Sequence, residues 1–159
     1  MNSIMNNYFP VFEMYQVLRN QLMELLADED LAFRLEGDNL TLGALCREIG
    51  EVEYSYIQSF RTFEQDFSYR KKEPRLEASV ATLTAWFEEL DNELRATVEG
   101  LSEEDIQNRV IDRGGGFTLP PQVQLEVYKE ALLIFYGKVS VYLRVMGKTL
   151  PKQWQEWIG

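Results

Sequence analysis

Apolar side chains recur at intervals of three and four residues along most of the chain, which is the period of an α-helix. The pattern predicts four long amphipathic helices, at about residues 10–27, 41–63, 75–99 and 120–147. No segment shows the strict alternation of a half-buried strand, and no internal repeat is present. The chain is therefore predicted to be all-α, a single domain over residues 1–159 built as a four-helix bundle.

Local signals place the ends of these helices. Thr41 suits the N-cap of the second helix, because its side-chain oxygen can accept from a free backbone N–H. Gly100 ends the third helix. Pro151 can begin a short terminal helix, and we expect its Trp154 and Trp157 to fold back on the bundle as a lid.

The connection between the second and third helices bears on the topology. Residues 64–74 reach about 35 Å at full extension, which nearly matches the length of the second helix. This length allows a crossover connection in which the second and third helices run parallel.

The apolar stripes also predict which side chains are buried. The stripe of the first helix begins at Val11, whereas Phe12, Tyr54 and Trp86 fall outside the stripes of their helices. We expect these three aromatic side chains to be exposed in a monomer and to mark an interface. Gly50 lies inside the second helix, where glycine costs about 1 kcal/mol relative to alanine. A closely approaching neighbour helix is the predicted reason.

The charge balance excludes two kinds of partner. The chain carries 26 acidic and 16 basic residues, for a net charge of −10. Such a surface repels phosphate backbones and anionic lipid, so neither nucleic acid nor a membrane is expected as a partner. Residues 1–10 lack the basic and apolar stretches of a signal peptide. With Cys46 as its one cysteine, the chain forms no internal disulfide, which fits a cytoplasmic location.

Histidine is absent from all 159 positions. Ser-His-Asp and Cys-His catalysis are therefore excluded. Cys46 falls on the inner face of the second helix, and with no histidine to activate it we expect a buried, inert thiol. Residues 114–116 are three glycines. They are interpreted as a linker, because no strand precedes them and no Lys-Ser/Thr pair follows, as a phosphate loop requires.

Two parts of the chain resemble the DinB/YfiT-like superfamily. Residues 41–49, TLGALCREI, resemble the start of the second helix in that family. Residues 135–138, FYGK, with residues 142–147, YLRVMG, and Pro151 resemble its last long helix and the following turn. The order and lengths of the other elements agree over nearly the whole chain. The resemblance implies a four-helix bundle with an up-down-down-up course, and it implies a homodimer, since bundles of this family often pair.

The resemblance also implies a metal site whose ligands this chain lacks. Many members bind a divalent metal through three histidines, and those positions fall on Glu48, Ala131 and Phe135. A methyl group and a phenyl ring offer no donor atom, and one carboxylate does not replace about three protein ligands. We therefore predict no metal and no cofactor. A residual pocket is predicted at Glu48, Ala131, Phe135, Tyr128 and Glu53.

The roles of several glutamate side chains have more than one interpretation. Glu48 stands one position off the apolar stripe, so it is either a solvated charge or a pocket carboxylate with a catalytic role. Glu53 falls near the stripe, and if buried it needs a partner such as Arg144 or a tyrosine hydroxyl. A metal site rebuilt from oxygen ligands alone would suit Mg, Ca or Mn. Its candidate ligands are Glu48, Glu51, Glu126 and Glu130.

The aromatic residues of the last long helix and the terminal helix have three interpretations. They are core, they line a cavity for a small apolar ligand, or they form a homodimer face. The set is Tyr128, Phe135, Tyr136, Tyr142, Trp154 and Trp157.

Two functions remain in competition. The first is a non-catalytic cytoplasmic homodimer that has lost the metal site of the family and binds a small apolar ligand or a protein. The alternative is a thiol-dependent transferase or hydrolase-like enzyme, which uses Glu48 or a rebuilt carboxylate metal site.

Overall fold

Four long helices and three short ones make up most of the chain. The computed structural model describes all of residues 1–159 and is predominantly helical, as the hydrophobic pattern predicts. The helices are α1 (Ser3–Asn7), α2 (Phe9–Leu25), α3 (Leu42–Thr62), α4 (Val80–Glu99), α5 (Glu103–Asn108), α6 (Pro121–Val145) and α7 (Lys152–Trp157). The connections contain 3₁₀ turns at Asp28–Ala32 and Pro74–Glu77 and a hairpin of β1 (Ile111–Asp112) and β2 (Thr118–Leu119).

Most helix ends lie close to the predicted positions. The Thr41 hydroxyl accepts a backbone hydrogen bond in the first turn of α3, so its role as N-cap is confirmed. The third long helix starts later than predicted, because residues 74–77 form a separate 3₁₀ turn and Ser79 caps a new start at Val80. Gly100 is the C-cap of α4, as predicted.

The hydrophobic pattern does not predict α1, which is too short to show a helical period. Hydrogen bonds to distant residues hold it instead. The Asn2 side chain accepts from the Met5 N–H at 3.0 Å and donates to the carbonyls of Val98 and Leu101 at 2.7 and 2.9 Å. One side chain therefore caps α1 and attaches it to the end of α4.

The glycine run closes a small hairpin that the sequence pattern does not predict. The two strands are antiparallel and only two residues long, so they show no alternation. Gly114, Gly115 and Gly116 have φ values of +88°, +61° and +82°, a region that other residues rarely adopt. The segment interpreted as a linker is therefore a turn whose backbone requires glycine.

The inward face of α2 differs from the predicted stripe. Val11 is 46% exposed and its neighbour Phe12 is fully buried, so both predictions are wrong. Leu18 and Leu22 of the predicted stripe are buried, and the inner face also includes Gln16, Arg19 and Met23. The hydrophobic pattern does not identify these buried polar side chains, and it misplaces the start of the stripe.

Helices α3 and α4 approach closely at Gly50, as predicted. A Cβ atom at Gly50 would lie 2.3 Å from the Trp86 ring, so only glycine fits there. The prediction that Trp86 is exposed is wrong, because this contact leaves it only 6% exposed. Tyr54 is half-buried and stacks on Tyr69 with ring centroids 3.8 Å apart. These aromatic residues belong to the packing of the bundle itself.

The terminal helix α7 packs back against the bundle. Trp154 is fully buried, and its indole N–H donates to the Leu18 carbonyl of α2 at 2.9 Å. The Trp157 ring stays partly exposed and contacts Tyr15, with centroids 5.1 Å apart. Because Trp154 fills the space between α2 and α6, this short helix is part of the core.

The core lies between the four long helices. α3 packs against α4 and α6, and α2 packs against the same two helices. One contiguous cluster of apolar side chains fills the space they enclose. No helix combines the length and apolar character needed to cross a membrane.

Candidate functional site

A small apolar pocket lies between α3 and α6. Its volume is about 160 Å³. Apolar side chains form its walls, and the exposed Glu48 and Lys138 stand at its rim. The apolar lining residues are Leu45, Ile49, Val52, Ala131, Ile134 and Phe135. An arrangement of this kind can bury a small apolar group, while the charged side chains of Glu48 and Lys138 interact with polar atoms at the edge of that group.

The structure brings together three of the five residues predicted to form a pocket. Glu48, Ala131 and Phe135 all line the cavity between α3 and α6. Tyr128 and Glu53 do not line it, because both are fully buried in the centre of the bundle. Successive turns of α3 place Glu48 at the surface and Glu53 in the core.

A larger, polar cavity adjoins the apolar pocket. It has a volume of about 480 Å³, and Glu48 and Val52 line both cavities. Arg47 lies within it, 3.7 Å from a Glu51 oxygen and 3.6 Å from a Glu77 oxygen. Glu48 itself has no hydrogen-bond or ion-pair partner in the structure, so its carboxylate is free to meet a ligand in either cavity.

Two of the three positions that the resemblance assigns to metal ligands offer no donor atom for a divalent ion. Ala131 and Phe135 present a methyl group and a phenyl ring, neither of which donates to a metal. The alternative carboxylate site is not assembled either. Glu51 accepts from the Lys71 backbone N–H at 2.7 Å, and Glu126 pairs with Lys129. No group of three or more His, Cys, Asp or Glu side chains is placed to hold a metal ion.

A second polar site lies in the centre of the bundle. The Arg19 guanidinium of α2 donates to Glu53 of α3 at 2.5 Å and to Asp91 of α4 at 2.6 Å. Gln16 donates to the same Asp91 oxygen at 2.7 Å, and Arg19 lies over the Phe87 ring, 4.1 Å from its centroid. Arg19 and Glu53 have no solvent exposure, while Asp91 reaches the surface with 22% of its side chain exposed.

Burial sets the protonation behaviour of this central cluster. Desolvation raises the pKa of Glu53 to about 8, and the attraction of Arg19 offsets this only in part. Burial alone would lower the pKa of Arg19, but Glu53 and Asp91 outweigh it and raise that pKa. Burial also raises the pKa of Tyr128 well above its ordinary value. One Glu53 oxygen and the Tyr128 hydroxyl have no hydrogen-bond partner.

Sequence reasoning did not identify Arg19 and Asp91. It offered Arg144 or a tyrosine hydroxyl as the partner of Glu53 if that carboxylate is buried, but Arg144 is exposed and Arg19 is the partner. A signal was present, since Gln16 and Arg19 both fall at helical spacing from Phe12 and Met23.

Cys46 is buried, as predicted. Its thiol has no solvent exposure, and burial raises its pKa to about 12. The thiolate form that attacks an electrophile is therefore scarce at neutral pH.

Comparison with known proteins identifies the family. The profile of the DinB superfamily matches residues 14–131, so this chain belongs to the DinB superfamily. A crystal structure of a DinB-like protein, YjoA from Bacillus subtilis, has a similar fold, with a TM-score of 0.68 and 19% sequence identity. The match covers 88% of this chain and 92% of YjoA. No curated protein matches the chain.

Proposed function

We propose that this DinB-superfamily chain is a non-catalytic, cytoplasmic binder of a small apolar molecule, which it holds in the pocket between α3 and α6. The observation that carries the proposal is the lining of this pocket. Ala131 and Phe135 extend an apolar wall there, at two positions that the resemblance assigns to metal ligands. A pocket with hydrocarbon walls favours an apolar ligand over a metal.

The size of the pocket limits the ligand. Its volume of about 160 Å³ resembles the roughly 150 Å³ engineered apolar cavity that binds benzene. We expect an aromatic ring or a short branched aliphatic group to enter. A polar substituent on that group would reach Glu48 or Lys138 at the rim.

A thiol-dependent transferase or hydrolase-like enzyme is the second candidate. It is favoured by the position of Glu48, which borders both the apolar pocket and the adjoining polar cavity. An apolar substrate in the first cavity and a thiol cosubstrate in the second would then meet at this carboxylate. In this mechanism Glu48 would accept the proton of the thiol.

The proposed course of the long helices is up-down-down-up, with a crossover between α3 and α4. The order of contacts supports it. Gly50, early in α3, meets Trp86, early in α4. Arg61, at the end of α3, pairs with Glu93 in the second half of α4 at 2.6 Å. In a parallel pair, residues early in one helix contact residues early in the other, and residues late in one contact residues late in the other.

Thermal-shift measurements test the ligand proposal. Wild-type protein is screened with benzene-sized aromatics and branched alcohols, alongside Ala131→Phe, which fills the pocket. Ala81→Phe is the matched control, since Ala81 is exposed on α4 and the added volume is the same. We expect a ligand-dependent rise in Tm for wild type and the control, and none for Ala131→Phe.

Two results would overturn the proposal. One is a wild-type Tm that no apolar compound raises, or one that rises equally in Ala131→Phe. The other is near-stoichiometric Mn, Ni or Zn in purified protein. Consumption of a thiol with an electrophilic substrate, lost in Glu48→Gln, would instead establish the second candidate.

A further inference from the structure

Glu48 and Val52 separate the two cavities that lie along α3. One face of α3 lines the polar cavity, and the neighbouring face lines the apolar pocket. Glu48 and Val52 belong to both faces and stand one helical turn apart. The two cavities therefore meet along this turn, and a single molecule that crosses it can occupy both.

The side chains of the polar cavity leave one carboxylate without a partner. Three carboxylates and two guanidinium groups line this cavity. The Arg47 guanidinium lies 3.7 Å from a Glu51 oxygen and 3.6 Å from a Glu77 oxygen. The Arg70 guanidinium donates to two backbone carbonyls at 2.8 and 2.7 Å. The lining thus carries one excess negative charge, and Glu48 is the carboxylate that no donor of the chain contacts.

The other charge at the rim, Lys138, lies on the opposite side of Glu48. Lys138 is exposed and lines only the apolar pocket, whereas Glu48 lines both cavities. A ligand cation would be attracted by Glu48 and repelled by Lys138, so its favourable position is toward the polar cavity. A ligand anion that extends into the polar cavity would instead meet the excess negative charge there. The net charge of −10 also favours the approach of a cation.

We propose that the two cavities form one site for a small amphipathic amine. Its apolar group fills the pocket between α3 and α6, its ammonium group pairs with Glu48, and a further substituent on the nitrogen lies in the polar cavity. This ligand class rests on the proposed apolar-ligand function, because it concerns the same pocket. A charge-assisted hydrogen bond from an ammonium group to a carboxylate is about twice as strong as a neutral one. Phe67, which is 46% exposed, adds an aromatic wall to the polar cavity.

Isothermal titration calorimetry with three ligands of similar shape tests the preferred charge. At pH 7 2-phenylethylamine carries an ammonium group, 2-phenylethanol is neutral and 3-phenylpropanoate carries a carboxylate. All three present the same phenyl ring to the apolar pocket. The Kd of the amine should be at least about fivefold lower than that of the alcohol, and the acid should bind more weakly than the alcohol. The advantage of the amine should shrink as salt is raised.

Substitutions at the rim test which charge selects the amine. Glu48→Gln should raise the Kd of the amine about fivefold to tenfold and leave that of the alcohol within about twofold, because only the charge is lost. Lys138→Gln should act in the opposite direction and lower the Kd of the amine about twofold. Glu99→Gln is the matched control, since Glu99 is exposed at the end of α4 and lines neither cavity. Circular dichroism confirms that the variants remain folded.

Two alanine positions test which cavity holds which part of the ligand. Ala131 lines only the apolar pocket, and Ala44 lines only the polar cavity. Ala131→Phe should abolish binding of every phenyl compound. Ala44→Phe should leave 2-phenylethylamine unaffected, but it should raise the Kd of N-(2-hydroxyethyl)-2-phenylethylamine at least about threefold, because the substituent on its nitrogen needs the polar cavity.

The results distinguish failure of the amine inference from failure of the proposed function. If benzene and 2-phenylethanol bind but the amine binds no tighter, the inference is wrong and the apolar-ligand function stands. An amine preference that persists in Glu48→Gln, or a tighter 3-phenylpropanoate, would also overturn the inference. Unchanged binding of the hydroxyethyl amine in Ala44→Phe would contradict the use of the polar cavity. If none of these compounds binds, the proposed function itself is wrong.

Discussion

The Arg19 guanidinium donates to the Glu53 carboxyl group at 2.5 Å in the centre of the bundle, and neither side chain touches solvent. Asp91 accepts from the same guanidinium at 2.6 Å, so the cluster joins α2, α3 and α4. A buried pair of this kind contributes little net stability compared with apolar packing. The loss of one member, however, leaves the other buried without a partner. We therefore expect the cluster to make the relative placement of the three helices specific.

Removal of one member of the pair should destabilise the fold more than removal of both. Arg19→Met is expected to lower the free energy of unfolding by about 3 kcal/mol, because Glu53 keeps a buried carboxyl group without its donor. Adding Glu53→Leu should recover at least about half of that loss, since the buried carboxyl group that lost its donor is then removed as well. Urea denaturation of wild type, both single variants and the double variant measures the coupling. Additive losses would contradict it.

Stability should fall as pH rises across the titration range of Glu53. Its pKa is about 8 in the folded protein, against about 4.3 in an unfolded chain. Between these values the folded state binds more protons than the unfolded state, so deprotonation weakens the fold. The contribution of this group should decrease by up to about 1.4 kcal/mol per pH unit within that window.

Comparison with Glu53→Gln isolates that contribution, because glutamine does not titrate. Urea denaturation of both proteins from pH 5 to pH 8.5 gives the difference in slope. Wild type should lose stability more steeply than the variant as pH rises. Parallel slopes would mean that Glu53 is already ionised throughout this range.

Gly50→Ala should destabilise the protein although alanine is the better helix former. The added methyl group would lie 2.3 Å from the Trp86 ring, which is buried and cannot move away freely. We expect a loss of about 1–3 kcal/mol from overpacking. Gly137→Ala is the matched control within a helix, where the new Cβ meets nothing and about 0.5–1 kcal/mol should be gained. Equal changes in the free energy of unfolding at both sites would show that helix propensity alone determines the effect.

The two tryptophans of α7 should differ sharply in their contribution to stability. Trp154→Phe removes a buried ring and the hydrogen bond to the Leu18 carbonyl, and it should lower the free energy of unfolding by about 2 kcal/mol. Trp157→Phe keeps an aromatic ring at a site that is 37% exposed, so its effect should stay within about 0.5 kcal/mol. Urea denaturation followed by circular dichroism compares them. Similar losses would mean that α7 does not act as part of the core.

Local signals account for what the sequence predicts well. The cap at Thr41 acts within one turn of its helix, and the glycine at position 50 interrupts a helical pattern where nothing else explains it. The start of α4 at Val80 was missed because a 3₁₀ turn has nearly the same apolar spacing as the first turn of a helix. The hairpin was missed because strands of two residues carry no period.

The candidate pocket was predicted in part. Glu48, Ala131 and Phe135 meet as expected, because helical spacing places them on facing sides of α3 and α6. Tyr128 and Glu53 lie on the same helices but turn into the core. A rotation of the helix by about one residue, roughly 100°, decides whether a side chain lines the pocket or enters the core. The sequence does not define the orientation of a helix that finely when its buried face contains polar side chains.

By itself, the sequence determines the helical class, most helix ends and the absence of any imidazole, because these depend on residues that are near in the chain or on composition alone. Tertiary structure decides which charges pair and which aromatic rings are buried. Arg19 and Glu53 are 34 positions apart, and Trp86 is buried only because Gly50 of another helix makes room for it. Such contacts depend on the placement of whole helices, whose packing energy no local pattern contains.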